Sequence, residues 1–189
     1  MKKLLLILLF LPMIFSCGEK KEENKDDEKE NNISLAIGDT YQGGIIFYLD
    51  GNGGGLIASP SDQSYAEWGC LGTTITGADG TAIGTGAQNT IDIEAGLPTP
   101  GTAADICANL TLGGYSDWFL PSKDELKEMY LNIGQGSTLG NVGFFETISY
   151  WSSTEYGIKD AWIQSFIRGG QAWDSKYYAH YVVRAIRAF

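Results

Sequence analysis

Histidine occurs once in the 189 residues, at His180, and no cysteine follows Cys107. A transition-metal centre needs His, Cys or carboxylate ligands at close spacing, and one histidine with two distant cysteines does not supply it. Nucleophilic catalysis needs a base beside its nucleophile. His180, next to Tyr181 at the start of an expected strand, reads instead as a structural or exposed residue. Basic residues are scarce as well. The chain has 13 Lys and Arg against 23 Asp and Glu, and after residue 32 seven bases face sixteen acids, a net charge of about −9. Such a surface is a poor partner for nucleic acid and for sulfated polysaccharide. The glycine-rich stretch GADGTAIGTGAQ has no lysine and no strand-to-helix context, which excludes a P-loop. No internal repeat is visible.

The one long apolar run, Leu4 to Phe15, is interrupted by Pro12 and is short for a membrane span. Lys2 and Lys3 precede it, and it ends in Ile14-Phe15-Ser16-Cys17. An aliphatic residue at −3, a small one at −1 and then cysteine resemble the lipobox of bacterial lipoproteins. Residues 1–16 are therefore expected to be a signal peptide and Cys17 the lipidated first residue of the mature chain. Several acyl chains, at about 0.8 kcal/mol per buried methylene, would make a stable anchor. Residues 17–32 follow as a charged stretch with almost no apolar residue, expected to be a solvated, disordered tether. Its acids Glu19, Glu22, Glu23, Asp26 and Asp27 resemble the export signal that sends some lipoproteins to the outer face of the outer membrane. The expected address is the outer membrane, at the cell surface, with membrane contact through the N-terminal lipid.

Residues 33–189 have the length of one domain. GIIFYL and GLIA flank the turn Asp50-Gly51-Asn52-Gly53-Gly54 and read as a β-hairpin over 44–58. Residues 59–100 are rich in Gly, Thr, Asp and Asn and read as a long irregular region. A helix is expected over 102–112, where Ala103, Ile106, Cys107 and Leu110 recur at helical spacing before Gly113-Gly114. A second helix should start after Ser122, with Glu125 completing a capping box and Leu126, Met129, Tyr130 and Ile133 forming its buried face. Strands are expected over 150–154, 161–168 and 180–187. The order strands, helices, strands gives an α+β fold of antiparallel sheets with two helices and long loops, the last strand pairing near the first. If the chain is exported, Cys70 and Cys107 meet oxidising conditions; the residues leave open whether they form a disulfide or remain two buried thiols.

Five blocks in this order, GGIIFYLD, AEWGC, GYSDWFLPSKDEL, YWSST and VVRAIRAF, resemble the Lcl C-terminal-like family of secreted and surface bacterial proteins over roughly residues 41–189. The resemblance implies a C-type-lectin-like fold related to the sulfatase-modifying factors, and a role in adhesion and in glycan or glycosaminoglycan binding. Two features depart from that pattern. The cysteine pair that sulfatase-modifying relatives carry late in the domain is missing, and so is a Lys/Arg cluster for a sulfated ligand.

The aromatic residues Trp68, Trp118, Trp151, Trp162 and Trp173, with Tyr115, Tyr156, Tyr177 and Tyr178, are the remaining signal. Sugar rings present C–H faces that stack on aromatic rings while nearby polar groups bind hydroxyls. Trp173 with Asp174, flanked by Gln171 and Tyr177, is the preferred ligand platform, whereas Trp118 and Trp151 read as core. Asp117 and Ser122 are expected to order their loop and helix. Arg184 and Arg187, three apart, should face opposite sides of a strand, one of them pairing with a buried carboxylate. No cofactor is implied. Calcium has weak candidates in Asp79, Asn89, Asp92 and Glu94, without EF-hand spacing. The expected function is non-catalytic binding of a glycan or surface protein; docking onto another envelope protein is the alternative. An enzyme acting on polysaccharide would need a carboxylate pair such as Asp160 and Asp174.

Overall fold

The computed structural model describes residues 34–189, so the signal peptide, Cys17 and the tether expected over 1–32 lie outside the described residues. The first strands, β1 (Thr40–Tyr41), β2 (Gly44–Leu49) and β3 (Gly55–Ala58), pair in antiparallel order. The turn between β2 and β3 closes on Asp50, whose Oδ1 accepts from the amides of Asn52 at 2.7 Å and Gly54 at 3.0 Å. These strands read as unbroken apolar runs because their sheet is covered on both faces. Ile46 and Ile57 enter one core with Trp68, Ile93, Trp118 and Trp151. Ile45, Phe47, Leu56 and Ala58 enter a second, with Leu126, Met129, Phe145 and Tyr150.

The C-terminal stretch expected as one strand is two. β8 (Tyr181–Val183) belongs to a second sheet, whereas β9 (Ile186–Ala188) pairs with β3 and completes the first. The chain changes sheets at Arg184 and Ala185 because a loop captures both residues. The Arg184 guanidinium binds the Ser59 and Gly143 carbonyls and the Asp62 carboxylate, and the Ala185 amide donates to Gln63 Oε1 at 2.5 Å. The second sheet has the order β4-β8-β5-β6-β7, with β4 (Ser64–Ala66), β5 (Ser149–Glu155), β6 (Asp160–Ser165) and β7 (Gln171–Ser175). It is not purely antiparallel as expected, since β5 and β8 run parallel.

Three helices are present among the described residues instead of two. The additional one, α1 (Gly86–Gly96), lies inside the stretch read as irregular. It has no side-chain cap and no acid in its first turn, so tertiary contacts hold it in place of local signals. Buried Asn89 donates to the Gly80 carbonyl at 2.7 Å and to Ser153 Oγ at 3.2 Å, and Thr90 Oγ1 accepts from the Leu120 amide. α2 (Ala103–Ala108) stops short of the expected 112; the chain then turns back through Gly113 and Gly114 in a Leu112–Tyr115 bridge.

α3 (Lys123–Ile133) begins with the full capping box. Ser122 Oγ accepts from the Glu125 amide and the Ser122 amide donates to Glu125 Oε2 at 2.7 Å. Glu125 is fully buried and also accepts from Gly84 N at 2.7 Å, so one carboxylate closes the starts of two helices. Gly86 makes this possible, because a Cβ there would occupy the place of that carboxylate. Burial raises the Glu125 pKa, and the amides of Ser122, Gly84 and Gly86 oppose the rise.

Cys70 and Cys107, left open between a disulfide and two thiols, are free and buried in the structure. Burial pushes both thiols up, Cys107 well above the usual range, which favours the neutral form.

Candidate ligand site

β6 and β7 pair so that Trp162 lies directly opposite Trp173. Their side chains share one sheet face, and their rings meet edge to face at 5.6 Å. Tyr156, just beyond the end of β5, stacks on Trp173 with centroids 4.4 Å apart and planes 13° from parallel. It also meets Trp162 edge-on at 5.4 Å. Trp173 is 51% exposed and Tyr156 50% exposed, so the three rings form an aromatic surface open to solvent. Lys123 Nζ lies 4.2 Å from the Trp162 ring centroid. The first residue of α3 is held there from two sides. Its amide donates to Thr154 Oγ1 at 3.0 Å, and Gln171 Nε2 donates to its carbonyl at 2.7 Å.

Trp173 and Gln171 therefore belong to one face, as strand alternation requires of residues two apart. Asp174 does not join them. Its side chain points to the opposite face of β7, where its Oδ2 accepts from the Tyr181 hydroxyl at 2.5 Å and Tyr181 packs edge-on against buried Trp151. Burial, followed by the Asp174 hydrogen bond and charge, raises the Tyr181 pKa above its ordinary value. Tyr177 is 67% exposed beyond the end of β7, where its amide bonds Ser175 Oγ. Asp160 pairs with Ser175 and Asp174 with Ala161, so the two carboxylates project from opposite faces and cannot flank one glycosidic bond.

The calcium candidates are not gathered into a site either. Asp79 is exposed, while Asn89 spends its amide on Gly80 and Ser153. Asp92 accepts from Gln88 Nε2 at 3.0 Å. Among the described residues no group of three or more His, Cys, Asp or Glu is placed to hold a metal ion. His180 is exposed, with Tyr178 beside it at 5.9 Å.

The scarce bases are largely structural. Arg184 pairs with Asp62 at 2.6 Å and Arg187 with Asp117, so both arginines take a carboxylate and neither carboxylate is fully buried. Arg187 also binds Gln42 Oε1 and lies over the Tyr115 ring. A third pair has no local sequence signal: Lys176, fully buried, contacts Glu155 at 2.5 Å, donates to the Thr73 carbonyl and sits 4.7 Å from the Trp68 ring centroid. Trp162, Tyr156 and Lys123 were visible only as residue types; their grouping around Trp173 depends on the β6–β7 register, which no local motif encodes.

No curated protein matches the chain. Residues 63–187 match the family model of the Lcl C-terminal domain, a range that starts after β3 and ends within β9, and the chain belongs to that family.

Proposed function

We propose that this domain is a non-catalytic binding module, held at the cell surface through lipid on Cys17, that takes a glycan or other surface ligand on the ring cluster of Tyr156, Trp162 and Trp173. The observation carrying this reading is the half-exposed Trp173, stacked on Tyr156 and flanked by Gln171 and Lys123. Stacked, solvent-facing rings offer an apolar surface to sugar C–H faces, with polar groups at its margin for hydroxyls. Lys176, Arg184 and Arg187 are committed to internal pairs, which leaves four of seven bases for a ligand and favours neutral or weakly acidic glycans over sulfated ones. Kinship with C-type lectins belongs to the same proposal. Pairing of the N-terminal strands with the C-terminal β9, and a second sheet that carries the loops, support it.

The test is a glycan-array screen of residues 34–189, run with calcium and with chelator, beside a Trp173→Ala variant. Selective binding that the variant loses is expected. A folded protein that binds nothing on a broad array overturns the glycan reading. Docking onto another envelope protein, the second reading, is favoured by one other feature. Phe144 is 74% exposed at a left-handed φ of 55°, fixed there while Arg184 binds the neighbouring Gly143 carbonyl. Crosslinking on cells would show a partner that Phe144→Ser releases if that reading holds.

A further inference from the structure

Away from the ring cluster, α1 and the segment 117–119 enclose a cleft of about 510 Å³, closed at one end by Asn109 after α2. This volume is in the range of small-molecule sites. Its walls are largely apolar, with Phe119 at the floor and Ile91, 58% exposed, at the rim. Glu94, one turn along α1 from Ile91, contributes the carboxylate. Its Oε1 is withdrawn from water and has no hydrogen-bond partner. Buried polar atoms without partners are rare, because each forfeits its hydration without replacement. Among the described residues the other two are glutamine amides, so Glu94 supplies the one such atom on an ionisable group.

The charges around the cleft have one sign in excess. Asp105 on α2 faces Glu94, Asp117 is neutralised by Arg187, and Cys107 beside Glu94 is a neutral thiol. Burial, and then Asp105, raise the Glu94 pKa, which describes a carboxylate lacking a counter-ion. An anion would be repelled here, and a neutral alcohol would meet the walls but leave the charge uncompensated. A metal ion would find too few ligands, since no group of three or more His, Cys, Asp or Glu gathers among the described residues. A cation with an apolar stem satisfies both the carboxylate and the walls.

We propose that this cleft is a second ligand site, independent of the ring cluster, that binds a primary ammonium group on a short alkyl stem with Glu94 as its counter-ion. Free alkylamines and lysine side chains share that chemistry. The test follows backbone amide shifts in residues 34–189, which form one compact unit, during titration with pentylamine, pentanol and a lysine blocked at both termini. Saturable shifts centred on Ile91 and Asn109 are expected with pentylamine. Binding should weaken about ten-fold or more with pentanol and with Glu94→Gln, the loss of a hydrogen bond to a charged group. Trp173→Ala should leave it unchanged, which separates this site from the ring cluster. Blocked lysine binding as tightly as pentylamine assigns the site to protein side chains, and pentylamine binding alone assigns it to free amines. Equal shifts with pentylamine and pentanol in the unsubstituted protein, or no saturable shift at Ile91 and Asn109, overturn the proposal whether or not the Glu94 variant folds.

Discussion

Two lysines in this domain lie over tryptophan rings, and their surroundings are opposites. Lys176 sits 4.7 Å from the Trp68 centroid with no exposed surface, and Glu155 meets it at 2.5 Å. Lys123, half-buried, sits 4.2 Å from the Trp162 centroid and forms no ion pair among the described residues. The indoles repeat the contrast. Buried Trp68, Trp118 and Trp151 each donate their N–H to a carbonyl, of Ser152, Leu112 and Ala66 respectively. Trp162 and Trp173 have no such bond among the described residues. A buried cation or N–H must be satisfied from within, and so becomes architecture. The same groups on β6 and β7 have no such internal partner among the described residues.

The inner pair gives the largest expected effect. Glu155→Gln leaves the Lys176 ammonium buried without its counter-ion and should destabilise the domain by about 3–5 kcal/mol in chemical denaturation. The outer counterpart, Lys123→Ala, should lose only about 0.5–1 kcal/mol. Equal losses would break the distinction between the two sites. Replacing Lys176 and Glu155 together by apolar residues of similar volume should recover much of the inner loss, since the uncompensated charge disappears with its partner.

Glu125→Ala comes next, at about 2–3 kcal/mol, combining a lost helix cap with backbone amides left unpaired. It also sharpens the view of what the sequence shows. Ser122 and Glu125 lie three residues apart, and their pairing across the start of α3 is legible because it is local. The other half of the same carboxylate's work, holding Gly84 and so the start of α1, spans 41 residues and has no local trace. α1 was unreadable for that reason, as its glycine-bounded sequence has no cap of its own. The hairpin over 44–58 is readable from Asp50 and the glycines after it, whereas β7 is not among the expected strands because it is a short edge strand beside Gly169 and Gly170. At the candidate site Trp173 stands out by type, and adjacency in the sequence groups Asp174 with it. Once β7 is a strand, alternation divides them between faces.

Tyr181→Phe probes the inner face of that strand and should cost about 1 kcal/mol at neutral pH, the net worth of its bond to Asp174. Its pH dependence has a definite sign. The Tyr181 hydroxyl keeps its proton in the folded state above the ordinary tyrosine value, because of burial and then Asp174, whereas the unfolded chain releases it near pH 10. The folded state then binds more protons, so stability falls as pH rises above about 10. Tyr150, raised by burial and then by Asp62, adds to the same limb. Removing the Tyr181 hydroxyl should flatten it, and an unchanged alkaline limb in thermal melts across pH would show that Tyr181 does not contribute.

A small effect on stability is expected at Trp173, and it decides the comparison. With half its surface in water and Tyr156 stacked on one side, the ring rests on an edge strand whose backbone pairing with β6 does not depend on it. Trp173→Ala should cost about 1 kcal/mol, the worth of its aromatic pairs, against about 3–5 kcal/mol for Trp151→Ala at the centre of the core. Differential scanning calorimetry of the two variants reads that ratio directly. A Trp173 loss as large as that of Trp151 would make the outer ring part of the core, and the case for an external ligand on it would go with that result. A small loss, paired with abolished ligand capture, would separate the role of the outer ring from that of the fold.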